Sequence, residues 1–284
     1  MTNLVKMDLY RMFKSKAIWI ILAIAMLMML ASAFMTHSDV VYYMNNPIAL
    51  ENLKISYKEV NWGVYIGSVS PDWCTGAKIP LGDLITVNIQ SNILLMFLVV
   101  FTVTFVSEES RTGFIKNIAG YVQNRRMLVL SKMISVAVFA AMLLISACIV
   151  IMLGCKLFFG YIDFEGLNNF ISFFGIELIL HVAFGAVIIC LVTVLKSPVA
   201  SIMTGILLSA GILQIIDTII GAFIGNMSLP RNFSIMYYTV SGNIKKMTIY
   251  NNFQGYIRAL IIGFVFMVFS MGISMYITQK RDVE

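Results

Sequence analysis

The stretch FISFFGIELILHVAFGAVIICLVTVL, Phe170–Leu195, contains one carboxylate, Glu177, one imidazole, His181, and otherwise apolar or small polar side chains. A helix rises about 1.5 Å per residue, so this run is long enough to cross a hydrocarbon core of roughly 30 Å. Backbone amides in lipid must bond within their own segment, which makes such a run a helix rather than a strand. It ends at Lys196-Ser197-Pro198, where proline cannot continue the preceding helix and a tight turn is expected.

Five further apolar runs flank it, at 17–35, 84–106, 127–153, 199–224 and 256–277. Of the 284 residues, 60% are hydrophobic and 12% charged, far from the balance of a water-soluble domain. The reading is one all-α membrane domain over 1–284, with six transmembrane helices.

Basic residues set the expected orientation. With the N-terminus inside, twelve of the twenty Lys and Arg fall on one side against five acids, and eight fall on the other against seven. Both termini are therefore expected in the cytoplasm, and the net charge of +6 reads as a topology and lipid-headgroup signal rather than a nucleic-acid surface. Residues 1–16 are amphipathic if helical, with Val5, Leu9, Met12 and Phe13 on one arc and Arg11 and Lys14 opposite. They are expected to lie in the inner interface. With Ala31-Ser32-Ala33 they also resemble a secretory leader, although the apolar run exceeds a typical signal core.

Residues 36–83 form the longest outer loop, rich in Tyr and Trp, with turn signals at Asn45-Asn46-Pro47 and Ser70-Pro71-Asp72. Residues 218–255 are a second outer or re-entrant segment, and in the re-entrant case the fifth span ends nearer Asp217. Cys74 and Cys155 both map to the outer side, leaving a disulfide open; Cys148 and Cys190 fall within spans.

Polar groups inside spans are the candidate path-lining residues. Asn88, Ser91 and Asn92 recur at helical spacing on the second span, Glu177 and His181 are four apart on the fourth, and Asp217 lies at similar depth on the fifth. They suit either a polar clamp between helices or a proton or cation relay. No H-E-x-x-H metal motif, nucleotide phosphate loop or other catalytic signature is present, so neither an enzyme nor a cofactor is expected.

The inner connection at 107–126 is charged, opening with Glu108, Glu109 and Arg111 and closing with Arg125 and Arg126. Glu109, Gly113, Ile115, Lys116, Arg125 and Lys132 follow the order in which the type-2 permeases of ATP-binding-cassette exporters place a Glu, a Gly-x-aliphatic-Lys run, an Arg and a Lys opening span three. The chain resembles that family in this loop and in its layout. Phe114, Val122 and Asn124 depart from the family's Thr, Pro and Ser. The resemblance implies a coupling helix that docks on a separate ATPase subunit, a second permease as dimer partner, a bacterial-type plasma membrane, and efflux of an amphipathic peptide, lipid or drug. Two other classes stay open: an ion-coupled carrier or channel using Glu177, His181 and Asp217, and a membrane immunity or scaffold protein.

Overall fold

The structure is a computed structural model that describes residues 2–56, 63–111, 125–164, 167–225 and 234–280. Among these every regular element is helical. The helices are α1 (Thr2–Lys14), α2 (Lys16–Asn45), α3 (Pro47–Ser56), α4 (Leu81–Gln90), α5 (Ile93–Arg111), α6 (Arg126–Gly154), α7 (Phe170–Leu195), α8 (Pro198–Ser209), α9 (Ile212–Gly225), α10 (Val240–Lys246) and α11 (Phe253–Lys280). Short 3-10 turns at Pro71–Thr75 and Ile235–Tyr238, and a π turn at Cys155–Phe159, complete the set used below.

Four helices are long and apolar enough to cross a membrane: α2, α6 with its π extension, α7 and α11. Two further pairs reach that length only when joined across a break. α4 and α5 meet at 49°, and α8 and α9 at 54°. Among the described residues there are thus between four and six candidate membrane-crossing helices. Apolar side chains on the outside agree with lipid as the surrounding solvent. α2 exposes Trp19, Ile20, Ile24 and Leu27, and α11 exposes Ile261, Phe264, Val265, Val268 and Phe269.

α7 is the hub, packing against α5, α6, α8, α10 and α11. Its Phe173, Leu180, Ala183 and Ile188 are buried. Nearby, Phe101 of α5 stacks on Phe139 of α6 with ring centroids 3.7 Å apart. The turn at Lys196 forms as expected: Lys196 adopts the left-handed region at φ 57°, Ser197 Oγ accepts from the Ala200 amide, and Pro198 opens α8.

Several boundaries differ from expectation. α2 continues ten residues past Met35 to Asn45, because nothing before Asn46-Pro47 interrupts it, so the first outer loop opens at that turn. α5 runs on through Glu108, Glu109 and Arg111, so the start of the expected coupling loop is the end of that helix. Gly113 and Lys116 lie outside the described residues. The break near the fifth span falls at Ala210-Gly211 rather than near Asp217, since Gly211 takes φ 83° and α9 then carries Asp217 onward to Gly225. Residues 226–233, within the expected re-entrant segment, are also outside the described residues. All four cysteines are free thiols, so the Cys74–Cys155 bridge is not formed.

The leader is helical, as its pattern requires, but its packing differs from a plain apolar-down helix. Asp8 is buried together with Met12, whereas Phe13 is exposed. Ser131 Oγ of α6 donates to Asp8 Oδ2 at 2.6 Å, and Arg11 lies 3.7 Å from Asp8 Oδ1. An internal hydroxyl and a guanidinium compensate the acid for lost water.

Candidate functional site: a polar cleft above two broken helices

A helix broken within a membrane leaves carbonyls and amides without partners, and these need protein or water to satisfy them. Here two breaks meet. Asn92, between α4 and α5, sits at φ 61°, a region that asparagine tolerates better than most side chains. Its Nδ2 donates to Ser209 O at the end of α8, 2.7 Å away. The loop at Gly63–Tyr65 covers both breaks, the Gly63 amide donating to Ala210 O at 2.6 Å and the Tyr65 amide to Ser91 O at 3.4 Å.

Lys245 of α10 ties that loop down. Its Nζ donates to Gly63 O at 2.9 Å and lies 5.2 Å from the centre of the Tyr65 ring. Among the described residues no carboxylate pairs with it. Lys245 is 7% exposed, and burial pushes its ammonium down to about 8. The Gly63 carbonyl and the face of the Tyr65 ring are the compensation the fold offers this cation. Gln90 completes the junction by donating Nε2 to Met247 O at 2.9 Å.

Above the junction opens a cleft of about 1120 Å³. Its floor includes Asp83, Thr86 and Gln90 of α4 together with Lys245, and its rim includes Asp39, Tyr43, Asp72, Trp73, Lys78, Lys246 and Tyr250. Among the described residues of this lining three carboxylates face three ammonium groups, so the cleft is not a field of one sign. Such a surface suits an amphipathic or zwitterionic guest better than a single inorganic ion. Trp73 and Tyr250 line the cleft together with Asp83.

The roof over the cleft is pinned to α2 and to the segment that follows α6 and its π turn. The Gly67 amide donates to Ser32 Oγ at 3.0 Å and the Ser68 amide to Thr36 Oγ1 at 3.2 Å. Only glycine fits at 67, where φ is 71° and an added Cβ would sit 2.9 Å from Met35 Cβ. Beyond α6, Tyr161 Oη accepts from the Ile79 amide at 2.9 Å, and Asp163 O accepts from the Leu81 amide at 2.8 Å.

The side chains expected to line a path occupy different places. Asn88, Ser91 and Asn92 are all buried, but none lines this cleft, which uses the Asp83/Thr86/Gln90 face of α4 instead. Asn88 donates to Leu84 O and Ser91 to Asn88 O within their own turn. Glu177 and His181 do meet on one face of α7, with Nδ1 3.4 Å from Oε2 and 2.8 Å from the Glu177 carbonyl oxygen. Both are fully buried, and Glu177 Oε1 and His181 Nε2 have no hydrogen-bond partner. Asp217 belongs to a separate cluster, where Oδ2 accepts from Ser234 Oγ at 2.6 Å and Oδ1 from the Ile235 amide at 2.9 Å.

The opposite end of the bundle gathers α1, the end of α5, the start of α6 and the end of α11. Arg11 donates to Phe105 O at 3.5 Å, with its guanidinium 4.4 Å from the Phe105 ring centre, and Arg126 Nε donates to Gln279 Oε1 at 2.7 Å. Glu108 is exposed there, and Arg125 stands at the cap of α6. Lys245, Gln90 and Asp83 were not among the candidate path-lining residues of the sequence reading. The adjacent Lys245-Lys246 was a usable signal, because in a helix neighbouring residues point about 100° apart and one of the two has to turn inward. Among the described residues no group of His, Cys, Asp and Glu is arranged to hold a metal ion.

Comparison with protein-family models and with curated proteins returned no match.

Proposed function

We propose that this chain is the membrane permease subunit of an ATP-driven exporter of the ATP-binding-cassette type. It would have six spans, counting each broken pair as one, and both termini in the cytoplasm. The observation that carries the reading is mechanical. α5 runs without interruption from the junction beneath the cleft, at Ile93, to the charged connection that follows Arg111. α1 grips both sides of that connection, through Arg11 to Phe105 and through Asp8 to Ser131. A push delivered to residues 107–126 is therefore carried along α5 to the cleft floor. The α1 end of the bundle then faces the cytoplasm, where a separate ATPase subunit docks near Glu108, Arg125 and Arg126. A second permease, identical or different, completes the transporter, and the mixed lining of the cleft supports an amphipathic substrate.

The test is purification of the chain from its native membrane with its companions. An ATP-hydrolysing subunit is expected to co-purify, and to be lost when Arg125 and Arg126 are both changed to Glu. Recovery of the chain alone, fully active in transport, overturns the proposal.

One observation favours a second reading. The fully buried Glu177–His181 pair keeps polar atoms without partners, an arrangement that a proton- or cation-coupled carrier could use. Transport that follows an ion gradient without ATP, and that ends on Glu177→Gln, separates this class from the exporter.

A further inference from the structure

At the rim of the cleft, Tyr237 is flanked by two cations. Lys246 Nζ lies 4.0 Å and Arg258 Cζ 4.3 Å from the centre of its ring. The Lys246 ammonium beside Tyr237 draws the phenol below its ordinary range. The ring's negative face attracts each cation but does not neutralise either, so an anion beside them would lower the energy of both. Among the described residues neither pairs with a carboxylate. Arg258 Nε is buried without a hydrogen-bond partner.

These groups line a cavity of about 590 Å³ that is completed by Asn251, Asn252 and Gln254 and holds no acid among the described residues. Its location narrows the ligand. Arg258 stands in the second turn of α11, whose exposed Ile257, Ile261 and Phe264 mark a lipid-facing stripe. Tyr250 of the lining is exposed, as are Tyr238 and Phe253 next in sequence to lining residues, a pattern aromatic side chains show where a helix enters the headgroup layer. Guanidinium and ammonium groups presented together at that depth suit a tetrahedral phosphate.

We propose that Lys246 and Arg258 bind a phosphate group, that of an anionic phospholipid whose chains lie along α11. The cavity shares Tyr237, Lys246 and Tyr250 with the large cleft, so the headgroup stands at the cleft's lateral edge. This site does not depend on how the bundle is powered.

The experiment is native mass spectrometry of the full chain in mild detergent, titrated separately with phosphatidylglycerol, with diacylglycerol of the same chains and with inorganic phosphate. Phosphatidylglycerol is expected to be retained at least tenfold better than diacylglycerol. Lys246→Gln should weaken its retention about tenfold, as expected for losing one charge-assisted contact. Arg258→Lys, which keeps the charge and the packing of the stem, should retain most of it. Equal retention of the two lipids, or a Lys246→Gln variant that binds like the parent, overturns the proposal. Inorganic phosphate binding as tightly as phosphatidylglycerol supports the phosphate site and overturns its assignment to lipid.

Discussion

Asn92 donates its side-chain amide to the carbonyl of Ser209 across 2.7 Å, joining the break between α4 and α5 to the break between α8 and α9. Both residues are fully buried, and the bond spans 117 positions of chain. One side chain thus holds together two bends that local structure alone would leave independent. Replacing Asn92 by Ala removes the bond and places a less tolerant residue at positive φ, a loss of about 2–4 kcal/mol. Replacing it by Gly removes only the bond. Thermal unfolding in detergent should rank the parent above Asn92→Gly, and Asn92→Gly above Asn92→Ala; equal melting of all three would show that the junction is held by other contacts.

Lys245 makes stability depend on pH. Its ammonium titrates at about 8 in the folded protein against 10.5 as the ordinary value, so between these values the unfolded chain binds the extra proton. Stability contributed by this group therefore rises with pH across that window and is flat below it. The difference in unfolding free energy between the parent and Lys245→Met should change on the order of 3 kcal/mol from pH 8 to 10.5. A constant difference would place the Lys245 charge in water.

Gly67→Ala tests the roof of the cleft. The new methyl meets Met35 Cβ and the backbone must hold φ 71°, so a cost of about 1–3 kcal/mol is expected. Hydrogen exchange should rise at the Gly67 and Ser68 amides and stay unchanged in α7; uniform exchange throughout would assign the effect to global stability instead.

Asp8→Ala should loosen α1 by about 1.5–3 kcal/mol, the range for a hydrogen bond to a charged group. The readout is proteolysis or exchange confined to α1 and the adjoining start of α6. An Asp8→Ala protein whose leader is as protected as the parent's would show that Met12 and its apolar neighbours suffice to dock it.

Asp217→Ala removes the acceptor for both Ser234 and Ile235, and is expected to cost about 1–3 kcal/mol by stranding those donors. If Asp217 serves only this structural tie, Asp217→Asn, which keeps an acceptor oxygen, should restore much of the loss and leave ion dependence of transport unchanged.

The crossings were legible because lipid imposes one local rule, that an apolar run of sufficient length closes its own hydrogen bonds as a helix. The turn at Lys196-Ser197-Pro198 and the pairing of Glu177 with His181 follow from backbone chemistry and helical spacing, both of which act within a few residues. The left-handed Asn92 was not legible, since asparagine prefers that conformation only weakly, and it is the reach to Ser209 that selects it here. Nor was the burial of Asp8, which rests on a hydroxyl 123 positions away.

Chain order and composition alone thus specified a helical protein and the apolar runs that are its candidate crossings, because burial of apolar groups in a bilayer is decided segment by segment. Packing between distant segments decided where two of those crossings bend, which face of α4 opens to the cleft, and that Lys245 turns inward while Lys246 joins Arg258 at the rim. Each of those outcomes depends on a partner far along the chain, and a partner's position exists only once the helices have come together.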